Sequence, residues 1–353
     1  MIIMSKRILA AACAAATALA LSACSPSAST GGKDGTLTVM ASFYPLKYLA
    51  EKVGGEHVTV TSLTPDGAEP HDLELSPKMV DSLASADAVV YLAGFQGAVD
   101  EAIEQHAPKT VIDVSSAAQL VAIDSTSDHP GEDEGTDEAQ SGEAQSGKAQ
   151  SGEAADHDHE HADGDHEHAD HDHADHDHHH DMSMDPHFWL DPARMANAAT
   201  LVGDKLAEAD PTNAETYKAN AKALNEELTS LGDNLVAKTS TCQIKTFVTA
   251  HTAFGYLADR TGLTQVGISG LDPESSPSPA RLAEIGKIAK DQGVTTIFTE
   301  ALIDPKVAQT LADDLGISTA VLDPIESQTD SSKDYAAVMN DNIDALTKAN
   351  NCQ

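Results

Sequence analysis

The sequence predicts an α/β protein: two α/β lobes with central sheets flanked by helices, joined by a single long rigid helix. Three features carry that prediction. Short β-branched apolar runs alternate with segments whose apolar residues recur at helical spacing, once before residue 128 and again after residue 245. Such alternation favours parallel sheets covered by helices. Between the two series lies 214–235 (AETYKANAKALNEELTSLGDNL), which has no Pro and carries apolar residues three and four apart. At 1.5 Å per residue this gives a helix of roughly 30 Å, enough to cross between lobes.

Taken in order, the chain opens with Lys6 and Arg7 ahead of an Ala-rich apolar run, 8–21. At about 14 residues the run is too short for a bilayer span and fits the apolar region of a secretory signal. It ends in Leu21-Ser22-Ala23-Cys24, which resembles a bacterial lipobox and implies removal of 1–23 and lipidation of Cys24. Residues 24–35 follow as a flexible tether, rich in Ser and Gly. The N-terminal lobe, 36–127, takes strands at 36–42, 58–63, 88–94 and 110–115, with helices at 44–53, 77–86 and 95–105. Residues 128–184 hold five-residue repeats (EAQSG, EAQSG, KAQSG) and then HDHEHADGDHEHADHDHADHDHHH; nothing there builds a core, and disorder is expected. The lobe ends with 185–212, containing a helix at 192–208. A connecting helix occupies 213–238. The C-terminal lobe, 239–353, takes strands at 246–250, 265–269, 295–299 and 318–322, helices at 253–261, 279–292 and 306–315, and a closing helix at 333–349.

Charge narrows the function. The chain has 57 Asp and Glu against 21 Lys and Arg, a net charge of −36, and residues 128–185 hold 20 of the acidic residues with one basic residue, Lys148. Nucleic-acid binding needs clustered cations to neutralise phosphate and is excluded. Beyond the signal, no stretch approaches about 18 consecutive apolar residues, so the body is expected to be held at the membrane by lipid alone. Of four cysteines, Cys13 leaves with the signal and Cys24 is modified. Cys242 and Cys352 remain in an exported chain, where a disulfide is the default state.

Outside the acidic segment the chemistry lies in histidine. His71, in Glu69-Pro70-His71-Asp72, follows the second strand. His187 lies in 185–192 (DPHFWLDP), and His251 directly follows TFVTA. Ligands of open α/β sheets bind outside the carboxyl ends of the strands, so these three imidazoles are placed to converge between the lobes. The last strand is followed by Asp323-Pro324-Ile325-Glu326, which offers Asp323 or Glu326 as a fourth donor. Three imidazoles and a carboxylate make a compact four-coordinate site suited to Zn²⁺, whereas Mn²⁺ favours more oxygen ligands. His57, on a polar turn, and His106, at a helix end, read as ordinary surface histidines. Metal affinity is expected to fall once the pH drops below roughly 6.5, where free imidazole takes up a proton.

Segments 41–55 (ASFYPLKYLAEKVGG), 64–77 (TPDGAEPHDLELSP), 185–192, 209–220 (ADPTNAETYKAN), 249–263 (TAHTAFGYLADRTGL), 267–279 (GISGLDPESSPSP) and 298–316 (FTEALIDPKVAQTLADDLG) together resemble the metal-binding lipoproteins of bacterial ABC importers, in particular their zinc-uptake, ZnuA-like branch. The resemblance implies two α/β lobes bridged by a long helix, histidine ligands at His71, His187 and His251, and completion of the site by Glu326 in preference to Asp323. Manganese-uptake relatives tend to carry Glu where this chain has His251. It also implies an extracytoplasmic monomer, lipid-anchored to the cell membrane, that captures Zn²⁺ as transported ligand and passes it to an ABC transporter permease and its ATPase. The 11 histidines between His157 and His180 match a habit of the zinc branch and are expected to gather zinc near the cleft. Three other readings compete: a manganese or other divalent-metal binding protein of the same importer class, a surface adhesin or zinc-buffering lipoprotein, and a zinc hydrolase with Glu69 or Glu300 as base. The hydrolase lacks any HExxH or nucleophile-elbow motif, and no enzyme activity is expected.

Overall fold

The computed structural model describes residues 35–106, 108–123 and 184–353. The expected signal, Cys24, all of the tether but Gly35, and all of the histidine-rich segment but Met184 lie outside the described residues.

Two four-stranded sheets, all parallel, form the framework. In the first, β1 (Leu37–Ala41) and β3 (Ala88–Tyr91) are central, with β2 (Val58–Ser62) and β4 (Thr110–Asp113) at the edges, in the order β2-β1-β3-β4. The second repeats that order with β5 (Thr246–Thr249), β6 (Thr264–Gly267), β7 (Thr296–Thr299) and β8 (Ser318–Val321), as β6-β5-β7-β8. β1, β3, β5 and β7 are mostly buried along their length, with apolar residues or threonine at the buried positions, as strands covered on both faces must be. Because every strand runs the same way within its sheet, all four carboxyl ends of a sheet open on one edge.

The helices start at clear signals. α1 (Tyr44–Gly54) carries Pro in its first turn. α2 (Pro77–Ser85) is capped by Ser76, which accepts from the Met79 N–H. α3 (Gly97–His106) and the single turn α4 (Ser115–Ala118) complete the first stretch. α5 (Pro192–Ala209) is capped by Asp191 and α6 (Ala214–Thr239) follows. α7 (Gly255–Thr261), α8 (Pro279–Asp291), capped by Ser278, α9 (Lys306–Leu315) and α10 (Tyr335–Ala349), capped by Asp334, belong to the second half. A side-chain oxygen at each cap satisfies an N–H that the first turn leaves unpaired.

α6 runs four residues past the periodic run ending at Leu235 and one past the expected connecting segment 213–238. Buried Leu235 and Thr239 keep the last turn docked, and the Thr239 hydroxyl donates back to the Leu235 carbonyl at 2.7 Å. With 26 residues the helix is about 39 Å long. It packs along α5 and reaches α1, α7 and α10, so it touches helices of both halves. The α5–α6 contact is close: a Cβ on Gly203 would meet the Ala221 Cβ at 2.4 Å, and only glycine fits there.

The helix is not the sole join. One contiguous apolar cluster runs from Val39, Phe43 and Leu49 through Trp189 and Leu228 to Phe247, Ile325, Tyr335 and Met339. Trp189 is fully buried; its Nε1–H donates to the Pro324 carbonyl at 2.7 Å, and its own carbonyl accepts from the Tyr335 hydroxyl. Two smaller clusters fill the outer faces of the sheets.

The C-terminus is tied to the entry of β5. Cys242 and Cys352 are disulfide-bonded across 110 residues of chain, and Asn350 donates from its side chain to the Ile244 carbonyl at 2.9 Å. A long closed loop restricts the unfolded chain. Replacing both cysteines (Cys242→Ser with Cys352→Ser) is expected to lower unfolding free energy by about 2–4 kcal/mol, seen as a fall in the urea midpoint with the slope retained.

Candidate metal centre

Four side chains from four separate loops meet between the sheets. His71 follows β2, His187 precedes α5, His251 follows β5 and Glu326 follows β8. Their Nε2 atoms stand 3.5, 3.3 and 3.4 Å from the same oxygen, Glu326 Oε1, and one donor atom from each residue lies within 4.8 Å of all the others. His187, His251 and Glu326 are buried, and the His71 side chain is 6% exposed. None of these four atoms has a hydrogen-bond partner, a costly condition for buried polar groups that a bound cation relieves. A tetrahedral ion with donors at 2.0–2.2 Å separates its ligand atoms by about 3.4 Å. The spacing around Glu326 Oε1 is that spacing.

Each histidine is held by a carboxylate that also takes its backbone N–H. Asp185 Oδ1 accepts from the His187 N–H at 3.0 Å and contacts His187 Nδ1 at 2.8 Å. Glu300 accepts from the His251 N–H at 3.1 Å and contacts His251 Nδ1 at 2.7 Å. An ionised carboxylate only accepts, so Nδ1 carries the proton in both rings and Nε2 faces the centre. Glu69 Oε2 accepts from the His71 N–H at 2.9 Å, while its other oxygen lies 3.9 Å from His71 Nε2.

The sheet order explains the pairing of His251 with Glu300. β5 and β7 are neighbours at the point where strand order reverses, so the residues following them emerge side by side. The His71 loop is stapled down by buried Gln96, whose amide donates to Thr64 Oγ1 at 2.9 Å and to the Pro70 carbonyl at 3.0 Å. Gly67, at φ 77°, turns its N–H onto Ser327 Oγ at 2.7 Å, latching the loop of His71 to the loop of Glu326. The latter loop holds a β-branched residue at positive φ, Ile325 at 56°, a conformation costing on the order of 1–3 kcal/mol. Asp323 Oδ1 accepts from the Ile325 N–H at 2.8 Å and holds this bend, which aims Glu326 inward.

The electrostatics follow from burial. Burial opposes ionisation of Glu326, yet the facing imidazoles of His187, His251 and His71 outweigh it and hold the carboxyl well below its usual range. Burial likewise disfavours protonated His251, but Glu300 and Glu326 override it and raise the ring to about 10. His187 shifts upward against its burial through Asp185 and Glu326. His71 shifts downward, its burial outweighing Glu326. Glu69 rises to about 8 through burial and the nearby Glu326 charge.

Residues 39–349 match the model of the family described as "ZnuA: Zinc-uptake complex component A periplasmic". The chain belongs to the ZnuA family. It is 33% identical over 318 residues to the zinc-binding protein AdcA of Streptococcus pyogenes serotype M3, covering 89% of this chain and 56% of that protein's length. It is 31% identical over 344 residues to the high-affinity zinc uptake system protein ZnuA of Bacillus subtilis, covering 94% of each. The crystal structure of the Zn(II)-bound ZnuA-like domain of Streptococcus pneumoniae AdcA aligns with a TM-score of 0.65 at 28% identity, over 90% of this chain and 99% of that one.

Within this ZnuA-family frame, the structure brings His71, His187, His251 and Glu326 together and leaves Asp323 to shape the turn beside them. His57 lies at the end of a short 3₁₀ turn and His106 at the end of α3, both apart from the cluster. Glu300, considered from sequence as a hydrolytic base, is committed to the His251 ring. Asp185, Gln96 and Ser327 were not singled out as site residues; of these, only Asp185, in the DPHF motif, carried a local signal.

Because Glu300 and Asp185 set tautomer and ring direction, Glu300→Gln or Asp185→Asn should weaken Zn²⁺ binding about 10–100-fold with little change in far-UV circular dichroism, measured by competition with a chromophoric chelator. The raised pKa of His251 moves the pH response upward from the unperturbed imidazole value. Below about 10 this ring holds a proton that an arriving ion must displace. At pH 7.5, calorimetry in buffers of different ionisation enthalpy should therefore show at least one proton released per Zn²⁺, and affinity should fall throughout the descent from pH 9 to pH 5.5. A profile flat above pH 7 would contradict this.

Proposed function

We propose that this ZnuA-family protein is the extracytoplasmic capture component of a zinc importer, binding one Zn²⁺ through His71, His187, His251 and Glu326 and delivering it to an ABC permease driven by its ATPase. The observation that carries this reading is the convergence of four donor atoms without hydrogen-bond partners, all within 4.8 Å of one another and the three nitrogens 3.3–3.5 Å from Glu326 Oε1. Three nitrogens against one oxygen favour Zn²⁺ over Mn²⁺. The family description, the zinc-named relatives and the Zn(II)-bound structural neighbour support the same ion.

The chemistry is binding and release. With four protein donors around one ion, no position remains for the water that a catalytic zinc activates, and Glu300, one of the two candidate bases, already holds His251. No enzyme activity is assigned. A lipid on Cys24 would hold the monomer outside the membrane, with the histidine-rich segment gathering zinc beside it. No described helix is long and apolar enough to cross a membrane.

The deciding experiment is a titration of the chain lacking 128–183 with Zn²⁺. One-to-one binding is expected, and His251→Ala should weaken it by more than the roughly 10–100-fold typical of a supporting residue. Loss of all tight binding on deleting the segment would instead make that segment the principal zinc element.

A further inference from the structure

The donors are not equally deep. His187 and His251 side chains are 0% exposed, Glu326 is 2%, His71 is 6% and Glu69 is 19%. This gradient points outward through His71 to Glu69, so an ion arriving from solvent meets Glu69 and His71 before the other three.

Glu69 is divided between two tasks. Its Oε2 holds the loop by accepting from the backbone N–H groups of His71 at 2.9 Å and Asp72 at 3.4 Å. Its Oε1 is buried and has no hydrogen-bond partner. That oxygen lies 3.9 Å from His71 Nε2, also buried and unpartnered. Unsatisfied buried atoms are uncommon and call for an explanation. Those of the inner donors are explained by the ion at rest; Glu69 Oε1 stands outside that group of four. Asp185 and Glu300 each grip the Nδ1 of their histidine, whereas the Glu69 oxygen not used by the loop stands near the Nε2 side of His71. The same type of residue is turned towards the metal face of the ring.

We propose that Glu69 is a transit ligand: Oε1, together with His71 Nε2, holds Zn²⁺ at the mouth of the centre as it enters, hands it to His187, His251 and Glu326, and takes it back on departure. This rests on the zinc-capture reading above. A carboxylate suits the role because it binds Zn²⁺ through one oxygen while its second oxygen keeps the loop in place. A donor engaged only during passage lowers the barrier in both directions by the same factor, so it sets the exchange rate more than the resting affinity.

The test is stopped-flow kinetics on the full mature chain, following Trp189, the protein's single tryptophan. Its ring centroid is 5.2 Å from that of His187, so the signal reports the centre. Zn²⁺ alone is mixed for association, and EDTA for release. Glu69→Gln keeps an oxygen to accept from the His71 N–H while removing the carboxyl group that can ionise onto the cation. Glu69→Asp keeps the carboxyl group but draws its oxygen back. Both are expected to slow association and release in step, by about tenfold or more, whereas Asp72→Asn, removing an exposed charge from the same loop, leaves both rates within about twofold. Unchanged rates in Glu69→Gln, or faster release with normal association, would overturn the proposal. A chain lacking 128–183 that binds no Zn²⁺ in equilibrium dialysis would instead remove the zinc reading beneath it.

Discussion

A carboxylate sealed from water must have a cation, and Glu326 is the residue on which that demand falls. It is 2% exposed and faces three imidazole nitrogens. No lysine or arginine approaches it among the described ion pairs. Two states satisfy it: protons on the surrounding rings, or a divalent ion shared by all four groups. Unpaired charge in such a place would cost several kcal/mol, so the centre is built to trade one form of positive charge for another. The outer carboxylates complete the balance, since Asp185 and Glu300 stabilise a positive His187 and His251 and also present their Nε2 atoms to a metal.

The fold serves this arrangement by geometry alone. Two parallel sheets of the same strand order turn their carboxyl ends towards a common cleft, and each functional loop is short and fastened. Gln96 fixes the His71 loop, Trp189 joins the loop of His187 to Pro324, and the strained Ile325 bend turns Glu326 inward. The apolar cluster running through both lobes places these fastenings on one continuous support. It restricts independent movement of the lobes more than a lone connecting helix would.

How far the sequence discloses this depends on the kind of information required. His71, His187 and His251 are legible because each sits just beyond a strand or in a proline-marked motif, and strand ends in parallel sheets define the site. The choice between Asp323 and Glu326 is not legible from position, since both follow β8; it is decided by Asp323 turning to the Ile325 N–H. The bonds of Gln96 to Thr64 and Pro70, and of Ser327 to Gly67, join residues far apart in the chain and leave no periodic trace. The single turn at Ser115–Ala118 and the 3₁₀ turns at Gly55–His57 and Phe188–Leu190 are too short for a helical repeat to register. The acid-base character of the histidines is hidden for the same reason: the ordinary imidazole value applies to a ring in water, whereas His251 is enclosed with two carboxylates.

One small feature has wide consequences for how this protein can vary. Ala122 and Met184 form an isolated antiparallel bridge, and the Asp185 N–H bonds to the Val121 carbonyl at 2.9 Å. Residues 121–122 and 184–185 therefore lie side by side, two residues before His187. A stretch whose ends are clipped together transmits no tension to what lies beyond the clip, and the entropy of closing it grows only slowly with length. Selection can therefore lengthen, shorten or recompose the intervening sequence while the histidine next door keeps its aim.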